Sequence, residues 1–206
     1  MNKVLISMEE LTSKVTALIK NNEGPFSVVT CDIDNLNNIN TIYGNNIGDE
    51  VINKVLSIFN NNLSDTDLIS RSGDEFTLLL VKKGAERSFM DLEEIRRYLS
   101  DNTFDLKSST KTENINITLS FGVASYPRDS KNVIALLRVA DSGLFRAKKL
   151  GKNRICLSEA ESMVLKSSYF TKTQLNRLSE LSKSKDRTEA SLLREALDSL
   201  FKKYNN

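Results

Sequence analysis

Apolar positions recur every three or four residues in "LTSKVTALIKNN", which puts Leu11, Val15, Leu18 and Ile19 on one helical face before the chain breaks at "NNEGP". "FSVVTCDID" follows as a continuous apolar run, the pattern of a central strand covered on both faces. Helical spacing returns in "IGDEVINKVLSIFNNNL", with Val51, Val55, Leu56 and Phe59 inward. "DLISR" and "EFTLLLV", joined by "SGD", predict a hairpin. "SFMDLEEIRRYLSDN" reads as an amphipathic helix and "INITLSFGVASYP" as one strand. "NVIALLRVADSGLFRAKKLG" is a long helix closed by Gly151, and "NRICL" a last strand. Strands and helices alternate, so residues 1–157 are expected to form an α/β body.

The rhythm stops in "SEAESMVLKSS", and residues 158–164 are expected to be a linker. Beyond it, residues 165–206 offer one short strand, "SSYFT", and two helices, "KTQLNRLSELSKS" and "TEASLLREALDSLFKKY". About forty residues with one strand and two helices bury too little core to stand alone. An obligate dimer is expected. Charge divides the chain at the same place. From Met163 onward nine Lys or Arg face five Asp or Glu, whereas the preceding 162 residues hold 20 against 22. A basic tail on a slightly acidic body predicts two modules with different partners.

Composition narrows the chemistry. The 206 residues contain no histidine, which removes imidazole bases, histidine-activated nucleophiles and most zinc sites. A metal here must be a hard cation held by oxygen, magnesium or manganese. The two cysteines, Cys31 and Cys156, stand alone in apolar settings and are expected to be buried free thiols. No apolar run approaches a membrane span, and the opening stretch, with Glu9 and Glu10, has no signal-peptide core. The expectation is a cytoplasmic protein without a membrane partner.

The candidate chemistry lies in carboxylates. Asp32 ends a buried strand, the edge where open α/β sheets bind ligands. Asp74 and Glu75 occupy the tip of the hairpin. Asp32 and Asp74 together could hold a magnesium ion completed by a backbone carbonyl, waters and substrate phosphates.

Four segments, "DIDNLNNINTIYGNNIGDEV", "DLISRSGDEFTLLL", "ITLSFGVASYP" and "ADSGLFRAKKLGKNRI", occur in the order in which the GGDEF (diguanylate cyclase) family carries them. Residues 2 to about 157 resemble that family. The resemblance implies a central, mostly antiparallel sheet flanked by helices, like that of nucleotide cyclases and polymerase palms. It implies Asp32 and Asp74 as metal ligands with the backbone carbonyl of Ile33, and Glu75 as an aid to 3′-hydroxyl activation. Asn40 and Asp49 would contact the guanine edge, and Lys148 and Lys152 the triphosphate. In the family, two such domains each hold one GTP and join them into cyclic di-GMP.

This sequence departs from the family pattern at several points. With Asp67 and Arg71 in register, the "SGDEF" turn is one residue short. Asn37 replaces a phosphate-contacting lysine, and Asn40-Thr41 and Gly44-Asn45 replace the usual pairs. The inhibitory motif reads "SDTD", with Ser64 in place of arginine. These departures lead to the expectation of a degenerate domain that binds nucleotide while turnover is weakened.

The tail resembles the ribbon-helix-helix family of DNA-binding proteins, in which two chains pair strands into a ribbon that enters the major groove. The resemblance implies double-stranded DNA as a partner. Phe170 and Ser168 would face inward, and Lys166, Ser167 and Tyr169 would face the groove. Lys185, Arg187 and the N-cap Thr188 would hold phosphate. Leu175, Leu178 and Leu181 would pack one helix, and Leu192, Leu193, Ala196, Leu197 and Leu200 the other. For the whole chain the leading expectation is a dimeric transcriptional regulator whose body senses a guanine nucleotide, cyclic di-GMP ahead of GTP. The rival is an active diguanylate cyclase dimerised by its tail. A third reading makes the body a structural or protein-binding module.

Overall fold

The computed structural model describes residues 5–107, 112–158, 168–185 and 189–204. The chain divides into two units, residues 1–161 and 162–206. In the first unit the elements are β1 (Leu5–Ile6), α1 (Met8–Lys20), β2 (Phe26–Ile33), α2 (Leu36–Tyr43) and α3 (Asn45–Asn62). The hairpin β3 (Leu68–Ser72) and β4 (Glu75–Val81) follows, then α4 (Ala85–Asp101), β5 (Thr103–Lys107) and β6 (Thr112–Asn116). β7 (Leu119–Tyr126), α5 (Val133–Lys149) and β8 (Ile155–Leu157) complete it.

Six strands form one mixed sheet in the order β1-β3-β4-β2-β7-β8. The three inner pairings are antiparallel, while β1 on β3 and β8 on β7 are parallel. β2 is central, and its alternate residues feed two cores, as an unbroken apolar run requires. Val29, Cys31 and Ile33 pack with α3 and α4, and Phe26 and Val28 pack with α1 and α5. α1 starts where the Ser7 hydroxyl accepts the amide of Glu10, a side-chain N-cap. Its Leu11 and Val15 are fully buried.

Two expectations for the body need correction, and one helix was not anticipated. "INITLSFGVASYP" is two strands. The Asn116 side-chain amide donates to the carbonyls of Ser100 and Asn102, and β6 pairs back on β5 as a separate two-stranded sheet. Residues 36–43, which carry no strong helical signal, form α2 because Leu36 and Ile39 are drawn into the core. The hairpin tip is narrower than "SGD": Ser72 pairs with Glu75, leaving Gly73 and Asp74 as a two-residue turn. Gly73 has φ +64°, the positive value that the first turn residue of a type II′ hairpin needs.

Of the cysteines, Cys31 is buried, and burial followed by the nearby Asp32 and Glu75 charges pushes its thiol well up. Cys156 is only partly buried. Among the described residues no helix is long and apolar enough to cross a membrane.

The second unit contains α6 (Lys172–Lys185) and α7 (Glu189–Tyr204). α6 opens on a capping box: the Thr171 hydroxyl accepts the Gln174 backbone amide, and the Gln174 side-chain Oε1 accepts the Thr171 backbone amide. Residues 168–171 carry no strand in the single chain, against the expectation for "SSYFT". A ribbon strand of that kind has its partner only in a second chain. Leu175, Leu181, Leu197 and Leu200 are exposed, as is Phe170, in the single chain.

Candidate functional site

The sheet's polar corner lies where β2 leaves the core. Pairing places Glu75 of β4 and Ser120 of β7 on either side of Asp32. Cross-strand partners point to the same face, so Asp32 and Glu75 both face the α5 side. One row inward, Thr30 stands between Thr77 and Gly122 on that same face. α5 comes very close there because Gly122 and Gly143 oppose each other: a Cβ on Gly143 would stand 2.9 Å from the Gly122 Cα.

That approach lays Lys148 over the strand end, where its Nζ donates to Asp32 Oδ2 at 2.5 Å. The Asp32 side chain is 15% exposed, and burial raises its carboxyl, opposed by the bond from Lys148. Glu75 is raised as well, first by burial and then by Asp141 and Asp32. Asp74 occupies the turn and adds to the negative potential at both carboxylates. Asp141 on α5 is itself raised by burial. This fourth carboxylate was not singled out from the sequence. Its seven-residue spacing from Lys148, two turns along one helix, was the available signal.

Asp34, two residues beyond Asp32, has a different task. It is buried and accepts from Thr118 Oγ1 (2.9 Å), Ser120 Oγ (2.7 Å) and the Asn153 amide (2.9 Å). It fixes the strand exit to the loop after α5. In that loop Lys152 Nζ donates to Asn35 Oδ1, so Lys148 and Lys152 contact the two ends of the 32–35 segment.

Asn40 of α2 lies against Gly48 of α3, the residue before Asp49. The Asn40 Oδ1 is buried and has no hydrogen-bond partner, a costly arrangement. It sits directly over Gly48, where a Cβ would stand 1.7 Å away. Asp49 beside it is exposed.

Among the described residues no group of three or more Asp, Glu or Cys side chains closes into a metal cage. Two or three carboxylates at one strand end, with a backbone carbonyl such as that of Ile33 and room for phosphate oxygens, suit magnesium, which rarely uses a full protein cage. Asp67, in the segment read as the inhibitory motif, is fully committed inside the protein. Its carboxylate accepts from the Ser64 amide and hydroxyl, the Val81 amide and Lys83 Nζ.

Of the residues proposed for DNA, Tyr169 is fully exposed. Lys185 ends α6, and its side chain lies outside the described set. Lys166, Ser167, Arg187 and Thr188 lie outside the described residues.

Residues 2–154 match the family model described as "Diguanylate cyclase, GGDEF domain". The chain is 31% identical over 137 residues to diguanylate cyclase DosC of Escherichia coli strain K12, covering 66% of this chain and 29% of that protein. It spans about a third of the length of the curated relatives it matches. Among solved structures, the active GGEEF domain of a diguanylate cyclase from Vibrio cholerae superposes with a TM-score of 0.67 at 28% identity. That match covers 77% of this chain and 100% of the other. The GGDEF domain of DgcB from Caulobacter crescentus, solved in complex with c-di-GMP, gives 0.68 at 24% identity over 78% and 92% of the two chains.

Proposed function

The chain belongs to the GGDEF diguanylate cyclase family, and from that premise we propose that its body joins two molecules of GTP into cyclic di-GMP. The observation that carries this is Glu75 facing Asp32 across the β2–β4 ladder, with Lys148 bonded to Asp32. The shorter turn shifts Asp74 to the tip, yet a carboxylate remains directly beside Asp32. This favours turnover over the weakened activity expected from the departures in the sequence.

In the reaction, the 3′-hydroxyl of each GTP attacks the α-phosphorus of the other, and two pyrophosphates leave. Asp32, Asp74 and the Ile33 carbonyl would hold magnesium or manganese, which would supply positive charge to the phosphates and the attacking oxygen. Lys148 and Lys152, bonded to the two ends of the strand exit, would receive the phosphate charge. Asn40 and Asp49 meet the guanine edge, the amide and carboxylate together matching its acceptor and its N–H donors. Glu75, whose carboxyl burial raises above the usual range, would take the 3′-hydroxyl proton. A single body holds one GTP, so two copies must face each other, and the tail with its exposed leucines supplies the dimer.

The test is liquid chromatography of purified full chain incubated with GTP and magnesium. Cyclic di-GMP and pyrophosphate in a 1:2 ratio, lost in Asp32→Asn, are expected. Tight binding of cyclic di-GMP with no product would overturn the cyclase reading.

A second reading of the tail is supported by its surplus of basic residues and by two helices at the places expected for a ribbon-helix-helix unit. In it the dimer also grips double-stranded DNA through Lys166, Ser167 and Tyr169, with Lys185, Arg187 and Thr188 on the phosphates. The body's product or substrate would then tune a transcriptional regulator. Selection from a random duplex library, repeated with and without cyclic di-GMP, tests it; no enriched sequence would leave the tail as a dimerisation device.

A further inference from the structure

Behind the strand exit stands an arginine that the catalytic reading does not use. Arg96 lies on α4, on the side of the sheet away from α5, with its side chain 16% exposed. Glu93, one turn earlier, clamps its guanidinium with both oxygens, at 2.7 and 2.8 Å. The remaining Nη1 reaches across to the loop after α5, donating to Asn153 Oδ1 at 2.8 Å and to the Asn153 carbonyl at 3.4 Å.

That loop is strained. Lys152 and Asn153 are consecutive non-glycine residues with φ of +64° and +45°. Two left-handed residues in a row hold only when the surroundings over-determine them. Four ties do so: the Lys152 amide to the Ala147 carbonyl at 3.0 Å, the Arg154 Nε to the Lys152 carbonyl at 3.1 Å, the Asn153 amide to Asp34 at 2.9 Å, and Arg96 on the Asn153 side chain. The loop's two outputs both point toward the nucleotide side. Asn153 fixes Asp34, two residues from Asp32, and Lys152 bonds Asn35.

We propose that Arg96 is a positioning residue for the nucleotide site: clamped by Glu93, it holds the 151–153 turn in its left-handed form. Asp34 and Lys152 thereby stay where a bound triphosphate needs them. The inference rests on the proposed nucleotide site but names a residue outside it. Arg97 supplies the internal control. It bonds the same Glu93 at 2.8 Å but is 68% exposed and makes no contact with Asn153.

The experiment is a titration of the full chain with GTP and magnesium, comparing wild type with Arg96→Gln, Arg96→Lys and Arg97→Gln. Thermal melting and product formation are followed in parallel. Arg96→Gln is expected to weaken GTP binding about tenfold, the usual scale for losing a residue that orients a ligand-binding group. Its kcat at saturating GTP should change less than the KM. Arg96→Lys recovers only part of the affinity, because an ammonium cannot serve Glu93 twice and Asn153 once. Arg97→Gln binds as wild type. Equal GTP affinity in Arg96→Gln and wild type overturns the inference, as does equal loss in the Arg96 and Arg97 variants. If wild type binds GTP without turning it over, the cyclase reading fails and the affinities still decide the role of Arg96. A wild type that binds no GTP overturns both.

Discussion

Gly122→Ala tests the contact that sets the site. The added Cβ would stand 1.9 Å from the Ala140 carbonyl oxygen and 2.2 Å from the Leu144 amide nitrogen, both backbone atoms of α5. Non-bonded heavy atoms need about 3.5 Å, so the helix must retreat by about 1.5 Å. No side-chain rotation can absorb that, which puts the cost at the upper end of overpacking, about 3 kcal/mol. For a body of this size each kcal/mol lowers Tm by about 2–4 °C, so the melt should fall by about 6–12 °C. The same retreat takes Lys148 away from Asp32, now 2.5 Å apart, so GTP affinity must drop as well. Gly84→Ala is the control, since its Cβ would meet nothing closer than 3.7 Å. Circular dichroism melts and GTP titrations of the three proteins suffice. A Gly122→Ala protein melting within about 2 °C of wild type, with unchanged affinity, would refute the claim that this contact positions Lys148.

Asp32→Asn should abolish product while leaving the fold at least as stable at pH 7. Burial raises the Asp32 carboxyl above the ordinary value of about 4. The folded state therefore keeps its proton longer than the unfolded state, and wild-type stability falls as pH rises from about 4 through the folded pKa. Calorimetry at acidic and neutral pH should show the variant losing less over that interval; a variant that loses more would reverse the sign. Lys83→Ala removes the cation from fully buried Asp67, a change expected to cost about 3 kcal/mol by urea denaturation. A cost under about 1 kcal/mol would mean that the Ser64 and Val81 donors alone satisfy the carboxylate. Asn40→Ala should weaken GTP binding by about three- to tenfold, the value of one hydrogen bond, without lowering the melt. An unchanged affinity would separate the orphaned Oδ1 from guanine recognition.

What the sequence discloses depends on whether a residue's partners are near it in the chain. β2 was legible because a strand covered on both faces shows no polar alternation, and "FSVVTCDI", with apolar residues on both faces and only the small Ser27 and Thr30 ahead of Asp32, carries that pattern by itself. α2 was not, because four asparagines and a threonine in "NLNNINTIY" argue against a helix. Burial of Leu36 and Ile39 overrides that propensity. The break between β6 and β7 depends on Asn116 reaching carbonyls 14 and 16 residues away, and no local pattern records it.

The same rule separates the two acids of "DID". As a sequence they are equivalent: both alternate onto one face, and both end a buried strand. Asp34 is tied to Thr118, Ser120 and Asn153, 84 to 119 residues further on, and these bonds use up its oxygens within the fold. Asp32 instead faces Glu75 and one lysine whose own side chain is 37% exposed. A carboxylate saturated by neutral donors is a fixed post, and one balanced by a single accessible cation can exchange that cation's grip for a metal and a phosphate. Lys148 is therefore the hinge of the functional argument. In the ligand-free fold it neutralises Asp32; under the proposed function a bound triphosphate would give it a stronger anion to turn to and leave Asp32 for a metal ion.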